Sequence, residues 1–215
     1  MGDNMRETAV LQRVKQGYTT GARTLASRSI VGLARTRITP NALTTAGVSL
    51  CLAAAVIVYF EYHNRLLFYW LGAFVFVVGS ILDILDGALA RAGGKTTPFG
   101  SFLDSTTDRV GEGAMLGAIA LIFARHGNEV ALGATIAAIA GSFLVSYTRA
   151  KAEALGLRGD VGLGSRAERV VVITAGLVLA PWGVLPWAIY LLTATAWLTV
   201  LQRILFVRKQ LAERK

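Results

Sequence analysis

The chain has 215 residues, of which 54% are hydrophobic and only 16% charged. Soluble domains average about 25% charged residues, so this composition excludes an ordinary soluble domain and points to an integral membrane protein. The net charge of +9 would suit nucleic acid by sign alone, but the basic residues line one side of a membrane, as the chain order shows, and no nucleic acid is expected. A single cysteine, Cys51, lies in an apolar run and leaves no disulfide framework.

Residues 1–40 read as a basic arm. Its stretch LQRVKQGYTTGARTLASRSIVGLARTR sets Arg and Lys among Leu, Val and Ile, the pattern of an amphipathic helix lying on anionic headgroups. Residues 41–212 hold six apolar segments long enough, with tilt, to be spans: 42–62, 66–89, 99–124, 130–147, 170–182 and 185–205. The fifth is interrupted by APWG, and its start is open back to Arg166. The expected fold is therefore all-α and integral to the membrane. One domain, 1–215, would comprise six transmembrane helices preceded by the interfacial helix.

Lys and Arg concentrate in the arm, in the second and fourth connections and at the C-terminal end. The first and third connections hold only Arg65 and Arg125. The positive-inside rule then puts both termini in the cytoplasm, as an even number of spans requires, and makes the chain a multi-pass protein of the cell membrane.

Four aspartates stand at the cytoplasmic ends of the second and third spans. A carboxylate at the centre of a membrane helix costs roughly 2.5–3.5 kcal/mol, so four of them require a chemical reason. Asp83 and Asp86 are spaced i,i+3, and Asp104 and Asp108 i,i+4, so each pair shares a helix face. Two adjacent antiparallel helices would bring all four together. Two divalent cations would balance their charge, and carboxylate oxygens suit Mg²⁺, Mn²⁺ and Ca²⁺. His63 and His126 fall on the opposite side, so nothing favours zinc.

The intervening residues fit an anionic ligand. Gly87 and Ala90 leave a small-residue surface, and Arg91 offers a planar fork for phosphate. Thr97 and Pro98 read as a helix cap and a first-turn proline, which aims free N–H groups near Gly100 at the same space. Asn41 is expected to cap the first span. Metals, an arginine and a helix N-terminus together suit a pyrophosphate or phosphodiester. Glu112 extends the face of Asp104 and Asp108 by one turn. It would either support a metal ligand from behind or end a polar face, and both readings stay open. Competing readings of the acids are a packing network, a divalent cation channel or transporter, and a membrane prenyltransferase.

The run Asp83-x₂-Asp86-Gly87-x₂-Ala90-Arg91-x₈-Gly100-x₃-Asp104-x₃-Asp108 resembles the signature of the CDP-alcohol phosphotransferases at every fixed position. The resemblance implies that a CDP-linked lipid, CDP-diacylglycerol, gives its phosphatidyl group to an alcohol and releases CMP. It implies two Mg²⁺ ions, or Mn²⁺ in their place, on Asp83, Asp86 and Asp104. Asp108 would be a ligand of the second ion and the general base. Gly87, Ala90, Arg91, Thr97 and Gly100 would contact the CDP group. Asn41, Ala42, Leu43 and Thr44, in TPNALTT, resemble the other nucleotide-contacting segment. A homodimer is implied as well.

The fourth connection, SYTRAKAEALGLRGDVGLGSRAERVVV, resembles that of the phosphatidylinositol phosphate synthases. Arg149, Arg169 and Arg203 would then bind the phosphate of inositol 1-phosphate. In that branch lysine usually stands where this chain has Arg149, arginine where it has Lys151, and Glu-Arg-Pro-Glu-Arg where it has Ser165-Arg166-Ala167-Glu168-Arg169. Glycerol 3-phosphate is the alternative acceptor, which would make the chain a phosphatidylglycerophosphate synthase. Acceptors without a phosphate have less use for three arginines.

Overall fold

A computed structural model describes residues 39–94, 96–162 and 164–213. The basic arm and its expected interfacial helix lie outside the described residues. Six helices follow one another: α1 (Pro40–Tyr59), α2 (Arg65–Ala92), α3 (Pro98–Arg125), α4 (Glu129–Ala154), α5 (Arg166–Val178) and α6 (Leu185–Ala212). A 3₁₀ turn, Ala180–Trp182, separates the last two. No strand occurs among the described residues.

Local chemistry sets the starts. Thr39 caps α1, its Oγ1 accepting from the Ala42 N–H at 3.3 Å. The cap is therefore Thr39 and not Asn41. Pro40, with a fixed φ and no N–H to satisfy, takes the first helical position and draws the start back by two residues. Thr97 caps α3 as expected, accepting from the Gly100 N–H at 3.0 Å with Pro98 behind it. Ser165 and Glu168 form a reciprocal capping box that fixes the start of α5 at Arg166. After α5, Gly183 takes a left-handed φ of 79° and turns the chain into α6.

The helices close a ring. α1 packs on α2 and α3, α2 on α5, α5 on α6, α6 on α4, and α4 on α3. The sequence suggested that α2 and α3 lie side by side. In the structure they scarcely touch, because α1 sits against both and leaves them facing one another across the ring. α1 and α2 come close because Gly47 and Gly79 meet, and a Cβ on Gly79 would lie 2.8 Å from the Gly47 carbonyl oxygen.

One end of the ring is packed solid. Tyr69, Phe76, Met115, Leu116, Ile119, Ile122, Ile173, Leu177, Ile189 and Leu192 are buried, and all come from the helix halves remote from the aspartates. The exterior carries Phe74, Ile84, Phe102, Val130, Ile136, Trp187 and Leu201 in exposed positions, while Glu61, Asp83, Asp86, Glu112, Arg169 and Arg203 are buried. This inverts the usual arrangement of a soluble protein and suits a hydrocarbon solvent. α1, α2, α4 and α6 are long and apolar enough to cross a membrane. α3 is interrupted by Asp104, Asp108, Arg109 and Glu112, and α5 has only 13 residues.

Candidate active site

The aspartates gather in the open half of the ring. Carboxylate oxygens of Asp83 on α2 and of Asp104 and Asp108 on α3 lie within 4.8 Å of one another. Asp86, one turn along α2 from Asp83, is turned toward α1, where the Thr44 hydroxyl donates to its Oδ2. The close approach at Gly47 and Gly79 is what brings Thr44 within reach. Oδ1 of Asp86 is buried without a hydrogen-bond donor, and Oδ1 of Asp108, which also accepts no hydrogen bond, has only the charge of the Arg166 guanidinium beside it. Such oxygens are costly unless something positive completes them. The donor set is all oxygen, and it fits a hard divalent cation. His126 belongs to the other end of the ring, where its Nε2 lies 3.1 Å from the buried Glu61, so imidazole takes no part.

A cavity of about 320 Å³ opens on one side of the cluster. Asn41, Thr44, Gly87, Ala90, Arg91, Thr97 and Gly100 line it together with Asp86 and Asp104. The glycines keep it open: a Cβ on Gly87 would lie 3.3 Å from Arg91 Nη1, and one on Gly100 would lie 3.1 Å from Thr97 Oγ1. Ala42 and Leu43 do not line this cavity. The helical turn carries Leu43 into the packing of α1 and leaves Ala42 exposed.

A second cavity, about 870 Å³, lies between α3 and α4, and Asp104, Asp108, Tyr147, Arg149 and Glu153 are among its lining residues. Asp104 thus borders both cavities. Arg149 donates from Nε to Glu153 at 2.9 Å across one helical turn. Arg169 and Arg203 are not on this wall. Arg169 makes a paired contact with Glu112, Nε to Oε1 at 2.7 Å and Nη2 to Oε2 at 2.8 Å, and Nη1 donates to the Gly164 carbonyl at 2.8 Å. Arg203 donates from Nε to the Val161 carbonyl at 2.9 Å and from Nη1 to the Val145 carbonyl. Both are buried. Glu112 is thereby explained: it is the buried partner of Arg169, joining α3 to α5.

Sequence reasoning did not single out Arg166. In the structure its Nη1 bonds Asp83 and its Nη2 lies 2.8 Å from Asp108 Oδ1. The available signal was its i,i+3 spacing to Arg169 just after the Ser165 cap, which puts both arginines on one face of α5.

A lipid-facing helical ring that gathers carboxylates for a hard cation, beside an arginine-bearing cavity at a helix N-terminus, suits a membrane-embedded site for a phosphate-linked group. The family model for CDP-alcohol phosphatidyltransferase matches residues 37–207, and the chain belongs to this family. Among its relatives is the archaetidylinositol phosphate synthase of Pyrococcus horikoshii, 37% identical over 180 residues, which are 83% of this chain and 88% of that protein. The phosphatidylinositol phosphate synthase of Streptomyces avermitilis is 37% identical over 192 residues, 84% of this chain and 77% of the relative. Among solved structures, the Mycobacterium tuberculosis phosphatidylinositol phosphate synthase with CDP-DAG bound superposes with a TM-score of 0.75 at 30% identity, covering 86% of this chain and 94% of that one. The same enzyme in complex with manganese and citrate gives 0.75 at 31% identity, covering 85% and 88%.

Proposed function

We propose that this enzyme transfers the phosphatidyl group of CDP-diacylglycerol to a hydroxyl of inositol 1-phosphate, giving phosphatidylinositol phosphate and CMP. The observation that carries this reading is that Asp104 borders two cavities, one lined by the donor-binding signature and the other by Asp108 and Arg149. Donor and acceptor would meet at the carboxylates. Relatives named for inositol phosphate lipids, and a solved relative with CDP-DAG bound, support the choice of substrates.

Asp83, Asp86, Asp104 and Asp108 would hold two Mg²⁺ ions, with Mn²⁺ an alternative that the manganese complex of the relative supports. Bound divalent ions would supply positive charge for the pyrophosphate and the departing CMP. Thr44 holds Asp86 in orientation. The Arg91 fork and the N–H groups at the start of α3, near Thr97 and Gly100, take the diphosphate. Asn41 and Thr44 meet the nucleotide, with Ala42 and Leu43 only carrying the helical turn between them, and Gly87 and Ala90 give it room. Asp108 accepts the acceptor's hydroxyl proton. The freed oxygen forms a bond to the phosphorus next to the diacylglycerol, the bond from that phosphorus to the CMP oxygen breaks, and CMP leaves as an anion. The acceptor's own phosphate goes to Arg149 on the cavity wall, with Arg169 and Arg203 behind. The bonds to Glu112 and Gly164 fix the plane of the Arg169 guanidinium without using every N–H.

The enzyme would sit in the cell membrane with both termini and the active site in the cytoplasm, supported by the Lys and Arg distribution. Six spans result if α3 crosses with its acids turned inward and α5 continues through the 3₁₀ turn. The family resemblance supports a homodimer. The deciding test is an acceptor panel. Purified protein, CDP-diacylglycerol and Mg²⁺ are mixed with inositol 1-phosphate, glycerol 3-phosphate, inositol or serine, and CMP release is measured. Fastest release with inositol 1-phosphate is expected. Preference for glycerol 3-phosphate would move the enzyme to phosphatidylglycerophosphate synthesis.

A further inference from the structure

We propose that Arg166 is a built-in counter-ion of the carboxylate site, which holds Asp83 and Asp108 together and is displaced from both when a divalent metal binds. This rests on the reading of the aspartates as metal ligands.

Asp83 and Asp108 come from α2 and α3, which scarcely touch, so little direct packing opposes the repulsion between their carboxylates. Arg166 spans the gap with one nitrogen on each. Nη1 contacts Asp83, and Nη2 stands 2.8 Å from Asp108 Oδ1, an oxygen that accepts no hydrogen bond. The guanidinium supplies charge to Asp108 without completing its ligand sphere. Asp83 and Asp108 are also two of the three carboxylates close enough to share an ion. A guanidinium and a divalent cation therefore compete for the same two carboxylates, and binding of one weakens the hold of the other.

The exchange is a side-chain movement. Arg166 is the first residue of α5, and the backbone there is held by the Ser165–Glu168 capping box and, one turn on, by the buried Arg169–Glu112 pair. The Arg166 side chain is 28% exposed against 5% for Asp83, so it has a path outward that the aspartate lacks. The guanidinium keeps its charge at any working pH, so the exchange answers to metal concentration. Arg166 is thus a positioning residue. It weakens apparent metal affinity and in return keeps the carboxylates of two separated helices in register.

The test is a calorimetric Mn²⁺ titration of the full chain in detergent. Wild type should bind Mn²⁺, and Asp83→Asn should lose that binding. Charge-assisted bonds to a carboxylate are strong enough that Arg166→Gln should bind Mn²⁺ about ten- to a hundredfold more tightly than wild type. Arg109→Gln is the control for general charge. That guanidinium neighbours Asp108 in sequence but bonds the Ser105 carbonyl, so affinity should stay within about threefold of wild type. Absence of Asp83-dependent binding in wild type would sink the metal-site reading itself. Asp83-dependent binding in wild type with unchanged or weaker affinity in Arg166→Gln would overturn the counter-ion alone, as would equal tightening in Arg109→Gln. Should Arg166→Gln fail to fold, wild type gives the answer. Phenylglyoxal labelling of Arg166, read by peptide mass spectrometry, should increase on adding Mn²⁺. Unchanged or reduced labelling overturns the proposal.

Discussion

Asp108 and Arg149 share a cavity wall, yet their environments differ, and so do the consequences of removing them. Asp108 has a buried oxygen without a donor, whereas Arg149 is more than half exposed, with a Glu153 partner. If Asp108 is the base, Asp108→Asn should lower kcat by about 10²- to 10⁴-fold while CDP-diacylglycerol binding persists. CMP release and donor binding, measured on the same preparation, check this, and near-normal turnover would move the base elsewhere. Arg149→Ala should raise the KM for inositol 1-phosphate about ten- to a hundredfold and leave the donor KM alone. Arg158→Ala should do neither, because Arg158 pairs with Asp160 at 3.3 Å and its backbone is tied to Gln210. Its hydrogen bond holds the Asp160 carboxyl below the usual carboxylate range. Equal effects at positions 149 and 158 would mean a diffuse basic surface. The gathering of Asp83, Asp104 and Asp108 was legible from helical period, but the turn of Asp86 toward Thr44, which leaves it out of that cluster, was not. Nor were the pairs Arg166 with Asp83 and Arg169 with Glu112. Those partners lie 83 and 57 positions apart, and only the order of helices around the ring joins them.

Helix starts were easier to read than helix ends or neighbours. Thr97 with Pro98 announced α3, and Thr39 with Pro40 set the start of α1 against the expected Asn41 cap. The end of α1 was misplaced because Phe60 and Tyr62 look like membrane residues. In the structure they form an aromatic turn, their ring centroids 5.9 Å apart. The adjacency of α2 and α3 was also not legible, since no local pattern reports that α1 packs against both. The α1–α2 contact makes a sharp prediction. Gly79→Ala puts a methyl group 2.8 Å from the Gly47 carbonyl oxygen and 2.9 Å from Cys51 Sγ, so backbone must shift, at a cost of about 1–3 kcal/mol. Thr44 would draw away from Asp86 as the helices part. Gly117→Ala meets nothing within 4 Å and should be neutral or stabilising by up to about 1 kcal/mol. Thermal unfolding in detergent compares the two, and equal Tm changes would contradict the close approach.

The described helices form a ring, sealed by apolar packing at one end and lined by charge at the other. Composition and the positive-inside bias made the membrane setting and the polarity of the ends legible, but no feature of composition indicates that charged groups stack from Glu112 through Arg169 beneath the carboxylates. If the aspartate end faces the cytoplasm, a membrane-impermeant thiol reagent applied outside intact cells should label Glu129→Cys and fail to label Lys95→Cys. Cys51 is buried at 4% exposure and gives little background. Labelling at position 95 from outside would reverse the orientation. Transfer to a phosphorylated polyol is tested by following the polyol itself. Purified enzyme with Mg²⁺ and CDP-diacylglycerol is given inositol 1-phosphate carrying radioactive phosphorus. Label should enter the lipid fraction in step with CMP release, and about 10²- to 10⁴-fold more slowly with Asp108→Asn. CMP release with the label left in water, or lipid labelled from glycerol 3-phosphate in preference, would contradict transfer to inositol 1-phosphate.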